Sequence, residues 1–174
     1  MIKIDDNRRL FHLQGKQTSY VMQVLEGGYL AHLYYGKRVN EYNGSNKIIY
    51  MDRGFAPNPT ADDRTFSLDT IPQEYQAFGN GDFRIPAYQV KLENGSRISD
   101  LRYVGHHVYQ GKKALEGLPA TYANELQECE TLEIYLEDKL IGLRVTLSYS
   151  LFTELDVITR CASFKNEVKN RYNY

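Results

Sequence analysis

Alternation of hydrophobic and polar residues is clearest in the second half of the chain. Residues 131–137 alternate with a period of two, Asp138-Lys139 offers a turn, and residues 143–151 alternate again. This period is typical of a strand with one buried and one solvated face. Two such strands joined by a short turn form a hairpin, as antiparallel sheets do. We therefore predict a long antiparallel hairpin, followed by a last strand over residues 156–164.

Earlier runs are shorter, rich in β-forming residues and separated by turn-forming residues. They predict further strands at residues 9–14, 19–25, 29–35, 48–50, 86–92 and 101–109. No segment has a convincing helical period, and residues 115–122, which hold Pro119, are predicted to form a covering loop. Roughly ten short strands with turns between them predict an all-β fold, an antiparallel β-sandwich.

The end of the chain raises the question of assembly. Residues 166–174 are predicted to turn towards another strand that the sequence does not contain. A missing neighbour leaves an open sheet edge, and an open edge favours pairing with a second copy of the chain. A homo-oligomer is therefore expected.

Residues 52–84 follow neither the strand period nor the helix period. Linkers are poor in large apolar groups, but this stretch contains Phe55, Phe66, Leu68, Ile71, Tyr75, Phe78 and Phe83. We predict one long ordered loop packed down by its aromatic side chains. Its charged residues are Asp52, Arg53, Asp62, Asp63, Arg64, Asp69, Glu74, Asp82 and Arg84. Two interpretations stay open: a functional loop, or a covering loop whose charges pair with one another.

Length and charge narrow the class of protein. The 174 residues fit one domain, predicted to be a β-sandwich over residues 1–174. The chain has 21 Lys and Arg against 22 Asp and Glu, so no basic excess points to nucleic acid. No run has the length of a signal-peptide core or a membrane span, and a cytoplasmic location is the default expectation. The chain has 15 Tyr, 7 Phe and no Trp, and we expect most of the tyrosines to pack in strands.

Few residues fit a metal or nucleophile site. Cys129 and Cys161 are too few for a disulfide framework and lack metal-ligand spacing, so both are predicted to be free thiols. The histidines at positions 12, 32, 106 and 107 are scattered over predicted strands. Neighbours on a strand point to opposite faces, which disfavours a shared zinc. We expect no metal and no cofactor.

Two Asp-Arg dipeptides in the loop suit sugar recognition. A carboxylate accepts hydrogen bonds from vicinal hydroxyls, and an adjacent guanidinium can hold its orientation. Asp52-Arg53 and Asp63-Arg64 both have this form. A solvated surface ion pair is the alternative, and a pair of acids for general acid–base work on a sugar also stays open.

The sequence resembles the N-terminal region of bacterial α-galactosidases of glycoside hydrolase family 36, the type that degrades melibiose and raffinose. The likeness covers nearly the whole chain. The matching pieces, in order, are residues 11–14 (FHLQ), 29–37 (YLAHLYYGK), 63–69 (DRTFSLD), 73–75 (QEY), 81–84 (GDFR), 117–122 (GLPATY) and 130–132 (ETL).

The resemblance implies a fold, a reaction and a role. The fold would be part of the large galactose-mutarotase-like β-supersandwich that precedes a catalytic barrel. The enzymes are retaining hydrolases whose two catalytic aspartates lie in that barrel, so this chain alone is expected to be inactive and to be part of a longer protein. They form dimers or tetramers in which the N-terminal domain reaches a neighbour's active site. Asp52, in the element Asp52-Arg53-Gly54-Phe55, would contact galactose, and Arg64 would support that region.

Two other functions remain open from the sequence. An independent carbohydrate-binding module would bind galactosides through exposed tyrosines and the loop acids. A purely structural domain would provide an assembly surface, and that interpretation requires Asp52 to be buried in an internal ion pair.

Overall fold

A computed structural model describes residues 1–44, 48–117 and 119–167. These residues form eight strands in two four-stranded antiparallel sheets. The first sheet consists of β1 (Ile2–Asp5), β2 (Leu10–Gln14), β3 (Thr18–Val24) and β4 (Leu30–Lys37). The second consists of β5 (Arg102–Gln110), β6 (Glu130–Asp138), β7 (Leu143–Phe152) and β8 (Val157–Asn166). The predicted all-β fold is confirmed.

Each sheet is a meander in which strands that follow one another in sequence are hydrogen-bonded neighbours. The predicted long hairpin is β6 and β7, in a register that sets Ile134 opposite Leu147 and Leu136 opposite Val145. Because side chains alternate across a strand, this register directs all four towards the same face. The alternation read from the sequence therefore identifies the inner face correctly.

The main core lies between the two sheets. Its buried residues come from the inner faces of both, and they are Ile2, Phe11, Leu13, Tyr20, Met22, Val24, Leu30, Leu101, Leu132, Ile134, Leu136, Val145, Leu147, Tyr149 and Leu151. Burying one such side chain contributes about 1.5–3 kcal/mol. This core holds the sheets face to face.

A second core lies on the outer face of the first sheet. Strand residues Leu10, Val21, Leu25, Tyr29, Ala31 and Leu33 pack there against Tyr42, Phe66, Leu68 and Ile71 of the connection between β4 and β5. All five residues of β2 are consequently buried. The first sheet is covered on both faces, which makes that connection part of the folded domain.

Two predicted strands are wrong, and one strand was missed. Residues 48–50 and 86–92 have no strand structure. In residues 86–92, Tyr88, Val90 and Leu92 occupy alternate positions, as in a strand. The Tyr88 ring, however, stacks on the Tyr75 ring with centroids 5.5 Å apart. Ring packing, not a ladder, explains the pattern there. The missed strand, β1, has only four residues, too few for a period to stand out.

Two further predictions concern the covering loop over residues 115–122 and the open sheet edge near the end of the chain. Residues 115–117 and 119–122 form no helix or strand, as predicted for a covering loop. In the described part of the chain β8 pairs with β7 alone. The predicted turn over residues 166–174 lies largely outside the described residues, which end at position 167.

Candidate functional site

Residues 38–101 connect β4 to β5, and we call them the connecting segment. Their described part contains a short 3-10 turn, Leu68–Thr70, and isolated bridges in place of strands. The predicted packing by aromatic residues is confirmed for Phe66, which is buried with Leu68 and Ile71. It is wrong for Phe55 and Phe83, whose side chains are exposed. Burial therefore divides the segment into an anchor, residues 63–84, and a tip, residues 49–57.

Asp82 is the most buried charge of the anchor, with no exposed surface. Arg84 donates to both of its oxygens, with Nε 2.8 Å from Oδ1 and Nη2 2.6 Å from Oδ2. Gln73 Nε2 adds a third bond at 2.7 Å. Burial alone would raise the pKa of Asp82, but the bonds and charge of Arg84 outweigh it and hold the pKa below its usual value. A fully satisfied buried charge fixes this part of the segment.

Arg84 also ties the anchor to its 3-10 turn. Its Nη2 donates to the carbonyl oxygens of Leu68 at 3.0 Å and Ile71 at 2.9 Å. Gly81, with φ near 88°, adopts a backbone conformation that favours glycine. An added Cβ there would clash with Pro57, so the tip lies against the anchor at this point.

Asp63 closes the turn that presents Phe66. Its Oδ1 accepts hydrogen bonds from Thr65 N at 2.7 Å, Thr65 Oγ1 at 2.7 Å and Phe66 N at 3.3 Å. The bonds from Thr65 lower the pKa of Asp63. This is local turn chemistry of the kind that aspartate provides, so Asp63 is committed to structure.

The adjacent Asp-Arg pairs do not bond within themselves. Arg53 Nη2 donates to Asp69 Oδ1 at 2.8 Å and to Ser67 Oγ at 3.2 Å. Asp52 instead pairs with Arg64, whose Nη2 lies 3.2 Å from Asp52 Oδ1. Each dipeptide therefore directs its two charges to different partners. The prediction that Arg53 orients Asp52 is wrong, and Arg64 has that position.

Asp52 is accessible. Its side chain is 54% exposed, and that of Arg64 is 68% exposed. The purely structural interpretation required a buried Asp52, and this exposure contradicts it. The ion pair alone is a weak contribution to stability, because surface pairs contribute about 0–1 kcal/mol. The two predicted site residues thus lie together, on the surface, beside the anchor.

The tip next to Asp52 is a tight turn, in which Ala56 N donates to Arg53 O at 3.2 Å. Phe55 occupies it with φ near 61°, and its ring is fully exposed. A bulky residue in this region is an outlier that costs roughly 1–2 kcal/mol. Phe55 is predicted from the sequence to be one of the packing aromatics, and its exposure makes it a surface residue instead. The neighbouring Gly54 was the available turn signal.

Glu74 links the anchor to both sheets. Backbone bonds from His32 N to Pro72 O and from Glu74 N to Leu30 O, at 2.8 and 2.9 Å, join the segment to β4. The Glu74 side chain, 2% exposed, then lies between the sheets. Its oxygens accept from Tyr20 Oη at 2.7 Å and Tyr149 Oη at 2.8 Å, and Arg160 Nη2 lies 3.0 Å away. Burial near this carboxylate raises the pKa of both tyrosines.

No group of three or more His, Cys, Asp or Glu in the described part of the chain is arranged to hold a metal ion. Cys129 and Cys161 are free thiols, as predicted. No helix in the described ranges has the length and hydrophobicity needed to cross a membrane.

Comparison with known proteins adds the family context. The sequence profile described as the glycosyl hydrolase family 36 N-terminal domain matches residues 28–173. The chain is 57% identical to α-galactosidase AgaA of Geobacillus stearothermophilus over 157 residues. The aligned residues cover 90% of this chain and 22% of that protein.

Solved structures agree with the sequence match. The crystal structure of the family 36 α-galactosidase AgaB from Geobacillus stearothermophilus superposes with a TM-score of 0.88 at 55% identity, covering 95% of this chain and 22% of that one. A variant of AgaA in complex with raffinose gives a TM-score of 0.86 at 57% identity, covering 90% of this chain and 22% of that one. The chain therefore spans about a fifth of the length of these relatives.

Proposed function

Because this chain belongs to glycosyl hydrolase family 36, as its N-terminal domain, we propose that it serves an α-galactosidase that hydrolyses terminal α-galactosides of the melibiose and raffinose type. The reacting groups would lie in a catalytic barrel on the remainder of the protein, and the 174 residues alone would be inactive. The cytoplasmic location stays a prediction.

The observation that carries the proposal is the exposed Asp52 carboxylate on a rigid support. Arg64 engages Oδ1, and a carboxylate offers about four acceptor positions. Vicinal hydroxyls of a galactosyl unit can therefore bind while the ion pair persists. Asp63 and Asp82, by contrast, are occupied by internal hydrogen bonds. Among these loop acids, Asp52 suits a ligand best.

We infer that the pocket it completes belongs to a second copy of the protein. Around Asp52 the tip exposes Ile49, Tyr50, Met51 and Phe55. Exposed apolar groups that cluster beside polar residues are typical of protein interfaces. The strained, exposed Phe55 supports the same interpretation, because strain without a packing benefit is usual at binding sites. Docking of this tip would promote the homo-oligomer and bring Asp52 to the partner's substrate.

Steady-state kinetics of the full-length enzyme tests the role of Asp52. Removing a charged hydrogen-bond partner costs about 1.5–3 kcal/mol, so Asp52→Ala should lower kcat/KM for raffinose roughly ten- to more than a hundredfold. Arg64→Ala should give a smaller loss, since Arg64 acts through Asp52. Asp62→Ala, an exposed acid of the same segment, is the matched control and should behave as wild type. An unchanged kcat/KM in Asp52→Ala would remove this residue from the site.

Subunit mixing tests whether Asp52 acts on a neighbour. Asp52→Ala subunits keep their catalytic aspartates, and subunits without the catalytic nucleophile keep Asp52. If the residue acts between subunits, dissociating and reassociating the two impaired proteins together should raise the activity above that of either parent. If the mixture shows no more activity than its parents while wild-type subunits recover activity in the same procedure, the role between subunits is wrong.

A further inference from the structure

The outer face of the second sheet differs from that of the first, because its side chains are small and polar. Outward positions of β7 are Thr146, Ser148 and Ser150, and they lie opposite Ser163, Cys161 and Thr159 of β8. Exposed strand positions favour β-branched and aromatic residues. Two adjacent strands with six small side chains in register leave a shallow trough along the sheet.

Larger side chains line one side of this trough, and the covering loop lies over part of it. Tyr109 and Glu133, on β5 and β6, stand along this side. Lys113 lies before the covering loop, and the loop itself contributes Leu115 and Pro119. The cavity is open on one side and has a volume of about 320 Å³. Small-molecule sites are typically about 300–1,000 Å³. The trough is therefore large enough for a small ligand.

Polar groups in the cavity are arranged for a ligand with many hydroxyls. Glu133 accepts from Lys113 Nζ at 2.8 Å, Tyr135 Oη at 2.8 Å and Tyr109 Oη at 3.1 Å. Burial opposes ionisation of Glu133, but these bonds outweigh it and hold its pKa below the usual value. The lining also includes Lys112 and Arg160. Lys113 pairs with Glu133, Arg160 pairs with Glu74 at 3.0 Å, and Lys112 Nζ donates to Thr121 O at 3.0 Å. Each of these charged groups thus has a partner within the chain, and the hydroxyl groups are left for a ligand.

Thr159 provides an independent indication. Its Oγ1 is shielded from solvent and has no hydrogen-bond partner in the described chain. An unpaired buried hydroxyl costs free energy, and a ligand hydroxyl that displaces the groups now shielding Oγ1 would remove that cost. An ordinary solvated strand face explains exposed Ser and Thr, but it does not explain a shielded threonine hydroxyl without a hydrogen-bond partner in the described chain.

We propose that this cavity, on the opposite side of the sandwich from Asp52, is a second saccharide-binding site. A neutral sugar fits the row of hydroxyls, and Tyr109 offers an aromatic ring beside them. We call it the β7–β8 sugar site. It is separate from the proposed function, because it uses no residue of the connecting segment and needs no partner subunit.

Cys161 gives a direct readout, since its partly exposed thiol lines the cavity while Cys129 is buried. The rate at which a maleimide alkylates Cys161 in the full-length enzyme, with its catalytic nucleophile replaced so that the sugar is not hydrolysed, should fall several-fold as raffinose is added, and it should not fall with an equal concentration of glycerol. Mass spectrometry of the peptides reports each cysteine separately. Cys129 should stay unmodified throughout, which also shows that the chain is folded.

Two substitutions place the protection in the cavity. Ser148→Leu, opposite Cys161 on β7, should abolish protection by filling the trough. Thr159→Val keeps the shape but removes the hydroxyl, and it should weaken raffinose binding about two- to tenfold. Thr60→Val, exposed on the connecting segment, and Asp52→Ala should leave protection unchanged.

The outcomes separate cleanly. Lack of protection by raffinose, melibiose and galactose in a chain whose Cys129 stays unreactive would overturn the proposal. Protection that survives both Ser148→Leu and Thr159→Val would overturn it as well, because the sugar would then bind elsewhere. Failure of Asp52→Ala to affect the enzyme would leave this result untouched, so the two proposals fail independently.

Discussion

The anchor and the tip of the connecting segment differ in burial: the anchor packs into the domain, and the tip is exposed to solvent. The anchor places Phe66, Leu68 and Ile71 in a core and Asp82 in a fully bonded buried position. The tip, a few residues away, exposes Phe55 and Asp52. Stability and recognition are thus separated along one stretch of chain. This separation predicts that substitutions at the buried positions of the anchor affect unfolding, and that substitutions in the tip affect only what the domain binds.

The largest effect is expected at Glu74. Glu74→Ala leaves the Tyr20 and Tyr149 hydroxyls and the Arg160 guanidinium without their buried acceptor. Each of the two buried hydroxyls left without an acceptor costs about 1–3 kcal/mol, whereas the Arg160 side chain is 48% exposed and can be solvated. Urea unfolding of the 174-residue chain should show this loss, and Glu93→Ala, at an exposed position of the same segment, should show almost none. Equal stability of the two variants would mean that the anchor does not hold the sheets together.

Asp82→Asn should have the next largest effect. The amide keeps the size of the side chain but loses the charge that Arg84 binds at 2.6 and 2.8 Å. Hydrogen bonds to charged groups contribute about 1.5–3 kcal/mol, and we expect a loss of stability in that range. Asp62→Asn is the control for the same change on the exposed surface. If both substitutions were neutral, the buried pair would contribute no net stability.

Acidification should weaken the anchor by a smaller, graded amount. The pKa values of Asp69 and Asp82 lie below normal, since hydrogen bonds and guanidinium groups outweigh burial. The unfolded chain then binds more protons at acid pH, so stability rises with pH in this range. The contribution is complete above the unfolded pKa of about 3.9 and is lost as the pH falls through the lower folded values.

Measuring the free energy of unfolding between neutral pH and pH about 3 checks this sign. The wild-type chain should lose stability at the acid end, and Asp82→Asn should lose less because one titrating group has been removed. Parallel curves for the two proteins would show that Asp82 is not one of the groups responsible.

Whether a feature could be predicted from the sequence depends on whether its physical cause is local in the chain. A period of two is local, so β6 and β7 could be read directly, and so could the turn between them. Ion-pair partners are not local: Asp52 meets Arg64 across a turn, although the sequence places Arg53 beside it. The same holds for Glu74, which the sequence shows only as one of several loop charges. Its environment consists of residues from four strands that are distant in sequence.

The smallest effect on stability is expected at Phe55, and it tests the separation most directly. Phe55 has positive φ and an exposed ring, so truncation removes no packing. Asn tolerates the left-handed region better than Phe. Phe55→Asn should therefore leave the free energy of unfolding within about 0.5 kcal/mol of wild type, or raise it. In the full-length enzyme the same change should weaken association between subunits, measured by sedimentation at decreasing concentration. A Phe55→Asn enzyme that associates as wild type would show that the tip is not an interface, whereas loss of stability would show that the tip is part of the anchor.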